Sequence, residues 1–258
     1  MIIDSHLHFG KFGPFNLSMS VLGEEMDKYH IGQGLISTIE CAEYRADVDE
    51  LMPEQNLQIE ANAKLLDHVI RADGRLYISF WCKPLVESNI AEVFDYISAN
   101  SKWIKGLKFH PFYSRLALED KRYEAYMDLA GQLDIPVSIH SANDQLSNPM
   151  QVLDLASRFP KTKIIMVHMG LLTDNKLGIE CISKADNLYG DTSWVPIENV
   201  EKAIRSCGSH KILFGSDAPI DGQKSYTFYE DMFEAYKKSP GENWDQVFSK
   251  NAQHLFKI

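Results

Sequence analysis

The chain has 258 residues, 45% hydrophobic and 24% charged, a balance that suits a soluble globular protein with one large core. Its formal net charge of −10 argues against nucleic-acid binding, which calls for a basic surface. No apolar run reaches membrane-spanning length and no basic stretch precedes an apolar segment at the start, so no membrane association is expected. Cys41, Cys82, Cys181 and Cys207 are widely spaced, without a C-x-x-C pair, and read as reduced thiols of a cytoplasmic protein.

The chain opens on a strand, Ile2-Ile3-Asp4-Ser5-His6-Leu7-His8. Alternation along an extended strand places Asp4, His6 and His8 on one face, so the two imidazoles could close on a single ion. Gly10, Gly13 and Pro14 mark a loop, and a helix is expected over 18–29. A second strand follows at 33–40, ending in Glu40, and then a polar loop. Pro53 suits the first turn of a helix whose apolar positions are Leu57, Ala61, Leu65 and Val69. The third strand spans 75–82 and is stopped by Lys83-Pro84; a helix over 87–98 leads to the fourth, 103–110, ended by Pro111.

The pattern continues with a helix at 120–133, a strand at 136–140, a helix at 149–158 and a strand at 163–168. A helix at 175–185, a strand at 187–193, a helix at 198–206 and the eighth strand at 211–216 follow. Helices at 223–237 and 244–256 complete the chain. Strands apolar on both faces, alternating with helices, fit a parallel sheet covered by helices. The expected fold is therefore α/β, a single (β/α)₈ TIM barrel formed by one domain, 1–258. No G-x-G-x-x-G follows the first strand, and no linker or repeat divides the chain.

In such a barrel the active site forms at the C-terminal ends of the strands. Strand one ends in His6 and His8, strand four in His110, strand five in His140 and strand six in His168, while strand eight runs into Asp217. Topology alone brings these residues to one rim. Imidazoles and carboxylates clustered in this way point to a metal or to proton transfer.

The motifs D-S-H-L-H at the start, I-H on strand five, H-M-G on strand six and G-S-D-A-P after strand eight resemble the amidohydrolase superfamily. The closer resemblance is to its amidohydrolase-related branch, which includes the aminocarboxymuconate semialdehyde decarboxylase group. G-L-K-F-H-P (106–111), D-T-S (191–193) and N-A-Q-H-L-F (251–256) extend the likeness to nearly the whole chain.

The resemblance implies that His6, His8, His140 and Asp217 hold a divalent metal, zinc by preference, with a second metal as an alternative. It also implies that His168 and Asp217 manage protons. Asp4 reads as orienting or neutralising. Lys108 reads as an interior lysine paired with Asp4 or another acid, because an unpaired buried ammonium is costly. The alternative is a carboxylated lysine bridging two metals.

His110, Tyr113, Arg115 and Trp194 are candidate substrate contacts. Glu40, Cys82, Lys83, Phe112 and Asn143 are further residues at strand ends. The expected activity is hydrolysis of a small carbonyl, ester, lactone or amide substrate by a metal-activated water. The alternatives are metal-dependent decarboxylation of an unsaturated or aromatic carboxylate and a barrel that binds metal without catalysis. The expected partners are a small-molecule substrate and a second copy of the chain in a homodimer.

Overall fold

The computed structural model describes residues 1–52 and 56–258; Pro53 and the helix start assigned to it lie outside the described residues. Eight strands run parallel in chain order: β1 (Ile2–Phe12), β2 (Ile31–Thr38), β3 (Leu76–Trp81), β4 (Ile104–Phe109), β5 (Val137–Ala142), β6 (Ile164–Leu171), β7 (Leu188–Asp191) and β8 (Ile212–Leu213). Each pairs with its neighbour in sequence.

The helices between them are α1 (Met19–Lys28), α2 (Gln58–Arg71), α3 (Ile90–Ala99), α4 (Glu124–Leu133), α5 (Pro149–Arg158), α6 (Lys176–Lys184) and α7 (Ile197–Cys207), followed by α8 (Glu230–Lys238) and α9 (Asn251–Phe256). Among the described residues no helix is long and apolar enough to cross a membrane.

The fold is α/β with a curled parallel sheet. Every residue of β5 is buried, as is β6 up to Gly170, as the near-continuous apolar runs require of strands covered on both faces. β8 has only two residues, because the backbone beyond it turns to the first strand. Ser5 N donates to Phe214 O, Asp217 N to His6 O and His8 N to Ala218 O, each at 2.8 Å. These bonds fasten the Asp217 segment beside His6 and His8.

At the other end of the strands, α9 packs Ala252, Leu255 and Phe256 against Ile3, Leu35, Ile165 and Leu213. Gly106 permits that approach, since a Cβ there would meet Phe256 Cε1 at 3.1 Å. Capping defines α5: Asn148 and Gln151 form a reciprocal capping box and Pro149 occupies the first turn.

Several expected boundaries move. Instead of a loop after His8, β1 continues to Phe12 and the chain returns antiparallel as Phe15–Leu17, with Gly13 at φ +56° in the turn. β2 stops at Thr38, leaving Glu40 in a 3₁₀ turn, and the polar loop beyond contains a small ribbon of Tyr44–Arg45 with Glu50–Leu51. Leu57 is half exposed at the cap of α2 rather than on its buried face.

The helix expected over 120–133 begins as a 3₁₀ turn, Lys121–Tyr123, before α4. That expected over 223–237 is helical as α8 only from Glu230, preceded by the turns Gly222–Lys224 and Thr227–Tyr229. Tertiary bonds hold this stretch: Tyr226 Oη donates to Asp4 Oδ2 at 2.8 Å and Tyr229 Oη to Ser216 O at 2.7 Å.

Candidate active site and metal centre

His6 and His8 lie within β1, where alternation puts both on one face. His6 Nε2 and His8 Nε2 are 3.0 Å apart, and Asp217 Oδ1 lies 3.3 Å from the first and 2.9 Å from the second. For His6 and His168 the hydrogen-bond partners fix which ring nitrogen carries the proton. Ser193 Oγ has one hydrogen, and Asp191 Oδ1 accepts it at 2.6 Å. That oxygen can then only accept, and it does so from His6 Nδ1 at 3.1 Å and His168 Nδ1 at 2.8 Å. His8 Nδ1 faces Ser37 Oγ at 3.1 Å, and that hydroxyl also lies 3.5 Å from Leu7 O.

With Nδ1 protonated, His6 turns an Nε2 lone pair towards Asp217 Oδ1, and His8 does the same when its Nδ1 donates to Ser37. Three acceptors in such close contact repel one another unless a cation sits among them. Four donors about 2.0–2.1 Å from a tetrahedral ion would stand roughly 3.3 Å apart, close to the spacing found here. The donor set therefore fits a divalent metal.

Lys108 Nζ, 3.1 Å from His6 Nε2, is the protein cation at this point. Burial lowers its pKa to about 8, against the pull of Asp217 and Asp191. Of the expected partners, Asp4 or another acid, the acids acting on it are Asp217 and Asp191, not Asp4. Asp4 is occupied instead by His6 N, by Ser216 through both N and Oγ, and by Tyr226, and burial raises its carboxyl to about 7. The role of Asp4 is to tie the start of β1 to the segment after β8.

Electrostatics follow from enclosure. Burial and then Lys108 lower His6 to about 3, against Asp217 and Asp191. His110 and His140 are also driven well below the usual range, first by burial and then by a neighbouring imidazole, that of His140 for His110 and that of His168 for His140. Burial would raise Asp217, but His6, His8 and His168 hold its carboxyl well below the ordinary value. Near neutral pH these groups present neutral imidazoles and an ionised carboxylate, the states a metal requires.

Asp191, the last residue of β7, stands out in the sequence only as part of the D-T-S triplet. Its Oδ1 accepts from His168 N, Ser193 N and Ser193 Oγ. Its buried Oδ2 stands 3.0 Å from His6 Nδ1 without a well-aligned hydrogen bond, and His6, His168 and Asp191 form a second group of convergent donors. The only sequence signal was an acid at a strand end. Gly215 makes room for this arrangement: a Cβ there would stand 3.0 Å from both Asp191 Oδ2 and His6 Cβ.

Other expected residues take different places. His140 faces the cavity but lies outside the close cluster of His6, His8 and Asp217; its ring stacks on His110 with centroids 3.9 Å apart. His110 stacks in turn on Trp81, at 5.4 Å and 12°. Tyr113, Phe112 and Asn143 line the cavity, whereas Glu40, Cys82 and Lys83 are not among the residues that do.

Arg115, expected to grip substrate, is outside the cavity: at φ +50° it turns its guanidinium onto Tyr44, 3.7 Å from the ring centroid. Trp194, expected as a substrate contact, is not among the described residues lining the cavity, and its Nε1 donates to Asp217 Oδ2 at 2.8 Å. His168, Trp194 and Asp217 all have positive φ, a backbone state that is costly for residues other than glycine and clusters at functional sites.

The cavity above these groups has a volume of about 360 Å³, within the range of small-molecule sites. A family model described as Amidohydrolase matches residues 3–258. The chain belongs to the amidohydrolase family.

Solved structures similar to this amidohydrolase share its fold. A probable 2-pyrone-4,6-dicarboxylic acid hydrolase from Acinetobacter baumannii with citric acid bound is 15% identical, with a TM-score of 0.70 over 100% of this chain and 99% of that one. A 5-carboxyvanillate decarboxylase mutant from Novosphingobium aromaticivorans with bound manganese is 14% identical, with a TM-score of 0.74 over 100% and 97%. The 2,6-dihydroxybenzoate decarboxylase from Rhizobium is 16% identical, with a TM-score of 0.72 over 99% and 98%. A search of proteins with curated functions returned no match. The family's enzymes include both hydrolases and decarboxylases.

Proposed function

We propose that this amidohydrolase is a metal-dependent hydrolase of a small carbonyl, ester, lactone or amide substrate, on a closed (β/α)₈ barrel with the metal at its C-terminal rim. The observation that carries the reading is the convergence of His6 Nε2, His8 Nε2 and Asp217 Oδ1 within 3.3 Å of one another. His140 is the fourth ligand in this reading, reached by rotation of its ring out of the stack. Nitrogen and carboxylate donors favour zinc, although one similar structure carries manganese. When bound, a divalent cation supplies Lewis acidity and a water of lowered pKa.

The protein's own groups complete the chemistry. Ser193 holds the His168 Nδ1 proton, so His168 Nε2 is the basic nitrogen available to a bound molecule. Asp191, which accepts from Ser193 Oγ, anchors that arrangement. Trp194 fixes Asp217 Oδ2, leaving Oδ1 for the metal and for a proton passing to the leaving group.

The apolar lining also favours a second reading, decarboxylation, because a carboxylate loses solvation there on the way to uncharged carbon dioxide. Metal-reconstituted protein should be screened with lactones, esters and aromatic carboxylates in ¹⁸O-water. Hydrolysis places ¹⁸O in the acid product. Carbon dioxide release without ¹⁸O incorporation would replace the hydrolase reading with the second, and turnover that survives chelation would overturn both.

A further inference from the structure

The cavity's charge inventory limits what it can accept, provided that this cavity is where substrate binds, as the proposed function holds. Lys108 is the only lysine or arginine among the described lining residues, and it is 1% exposed. The chain has seven arginines, all outside the lining. Arg45, Arg75, Arg122, Arg158 and Arg205 are paired with acids, and Arg115 lies on Tyr44. The guanidinium fork that ordinarily grips a carboxylate is thus missing from the described lining.

Acidic groups face the cavity from two sides, Asp217 and Asp144. Even with a divalent cation in place, its two charges and that of Lys108 are matched by Asp217, Asp191 and Asp144. A dianion would then be held in an enclosure with no surplus positive charge.

The walls are flat and apolar. Trp81 and His110 stack nearly parallel, with an interplanar angle of 12°. Phe12, Phe15 and Phe112 supply further aromatic surface. Asp144 is fixed at the margin because its Oδ1 accepts from Leu146 N at 2.7 Å and Ser147 N at 2.8 Å.

We propose that the cavity selects a flat, apolar ring bearing at most one negative group, and that Asp144 turns a second negative group away. Calorimetric titration of the metal-reconstituted protein with benzamide, benzoate and isophthalate tests this. Benzoate should bind at least about tenfold more tightly than isophthalate, since one uncompensated charge contact costs on the order of 1–2 kcal/mol.

Asp144→Asn keeps the acceptor that holds the turn and should narrow the preference several-fold. Leu172→Arg adds a cation at a lining residue that is 87% exposed and should narrow it as well. Equal or tighter binding of isophthalate by the unaltered protein, a preference unmoved by both substitutions, or no binding of any of the three would overturn the proposal. Heat of binding does not depend on turnover. A protein that sorts these ligands by charge but hydrolyses nothing would overturn the proposed activity and leave the charge limit standing.

Discussion

The two flanks of the cavity hold their imidazoles by different means. On one side His6, His8 and His168 each have Nδ1 fixed by a serine, and two of those bonds converge on the single Oγ of Ser193. On the other, His110 stacks on Trp81 and His140 on His110, and among the described residues the bond to a ring nitrogen of His110 is a long contact from Tyr113 N at 3.4 Å. The first arrangement sets protonation as well as position. The second sets shape without fixing the ring protons. Donors of a metal site gain from the former, whereas the latter suits His110 as a wall and leaves His140 to be recruited when a metal binds.

The largest effect that could break this contrast comes from the hydrogen-bonded flank. His6→Ala should abolish stoichiometric metal and with it essentially all activity, measured by elemental analysis and turnover, whereas His110→Phe should keep the metal. Equal metal loss in the two variants would erase the distinction. Ser193→Ala removes the shared acceptor without touching a donor atom, and should weaken metal binding or activity about 10–100-fold, the usual cost of losing such support. Metal affinity measured by competition with a chelator reads this directly.

A smaller effect is expected at Trp194. Trp194→Phe keeps the ring but removes the donor to Asp217 Oδ2, and should lower kcat about tenfold, the worth of a hydrogen bond to a charged group. The pH profile gives the finest discrimination. Burial depresses the pKa of His168, so its basic nitrogen stays unprotonated at neutral pH and is lost only as pH falls through the depressed value. In kcat/KM, that requires a plateau through pH 7 and an acid limb below the ordinary histidine pKa of about 6.5. A limb centred above 7 would contradict the assignment.

The order of the strands and the register of the histidines were legible because buried parallel strands leave long apolar runs, and polar residues at their ends stand out. His6, His8 and Asp217 needed nothing more. Asp191 and Ser193 were less legible: a D-T-S triplet reads as a turn, and only the tertiary contacts reveal one hydroxyl serving two imidazoles. Arg115 and Trp194 follow strands and so seemed to belong to the cavity. Their positive φ values turn them elsewhere, a backbone choice that local composition did not signal. β8 was overestimated because hydrogen bonds to β1 replace its expected ladder after Leu213.

The central claim is that His6, His8 and Asp217 converge because a divalent cation belongs between them. Metal content per chain, determined on the purified protein and on its His6→Ala and His8→Ala variants, tests it most directly. The account requires about one metal ion per chain in the first and a near-complete loss in both variants. A protein that binds no divalent metal, or variants that retain it at the original stoichiometry, would contradict it.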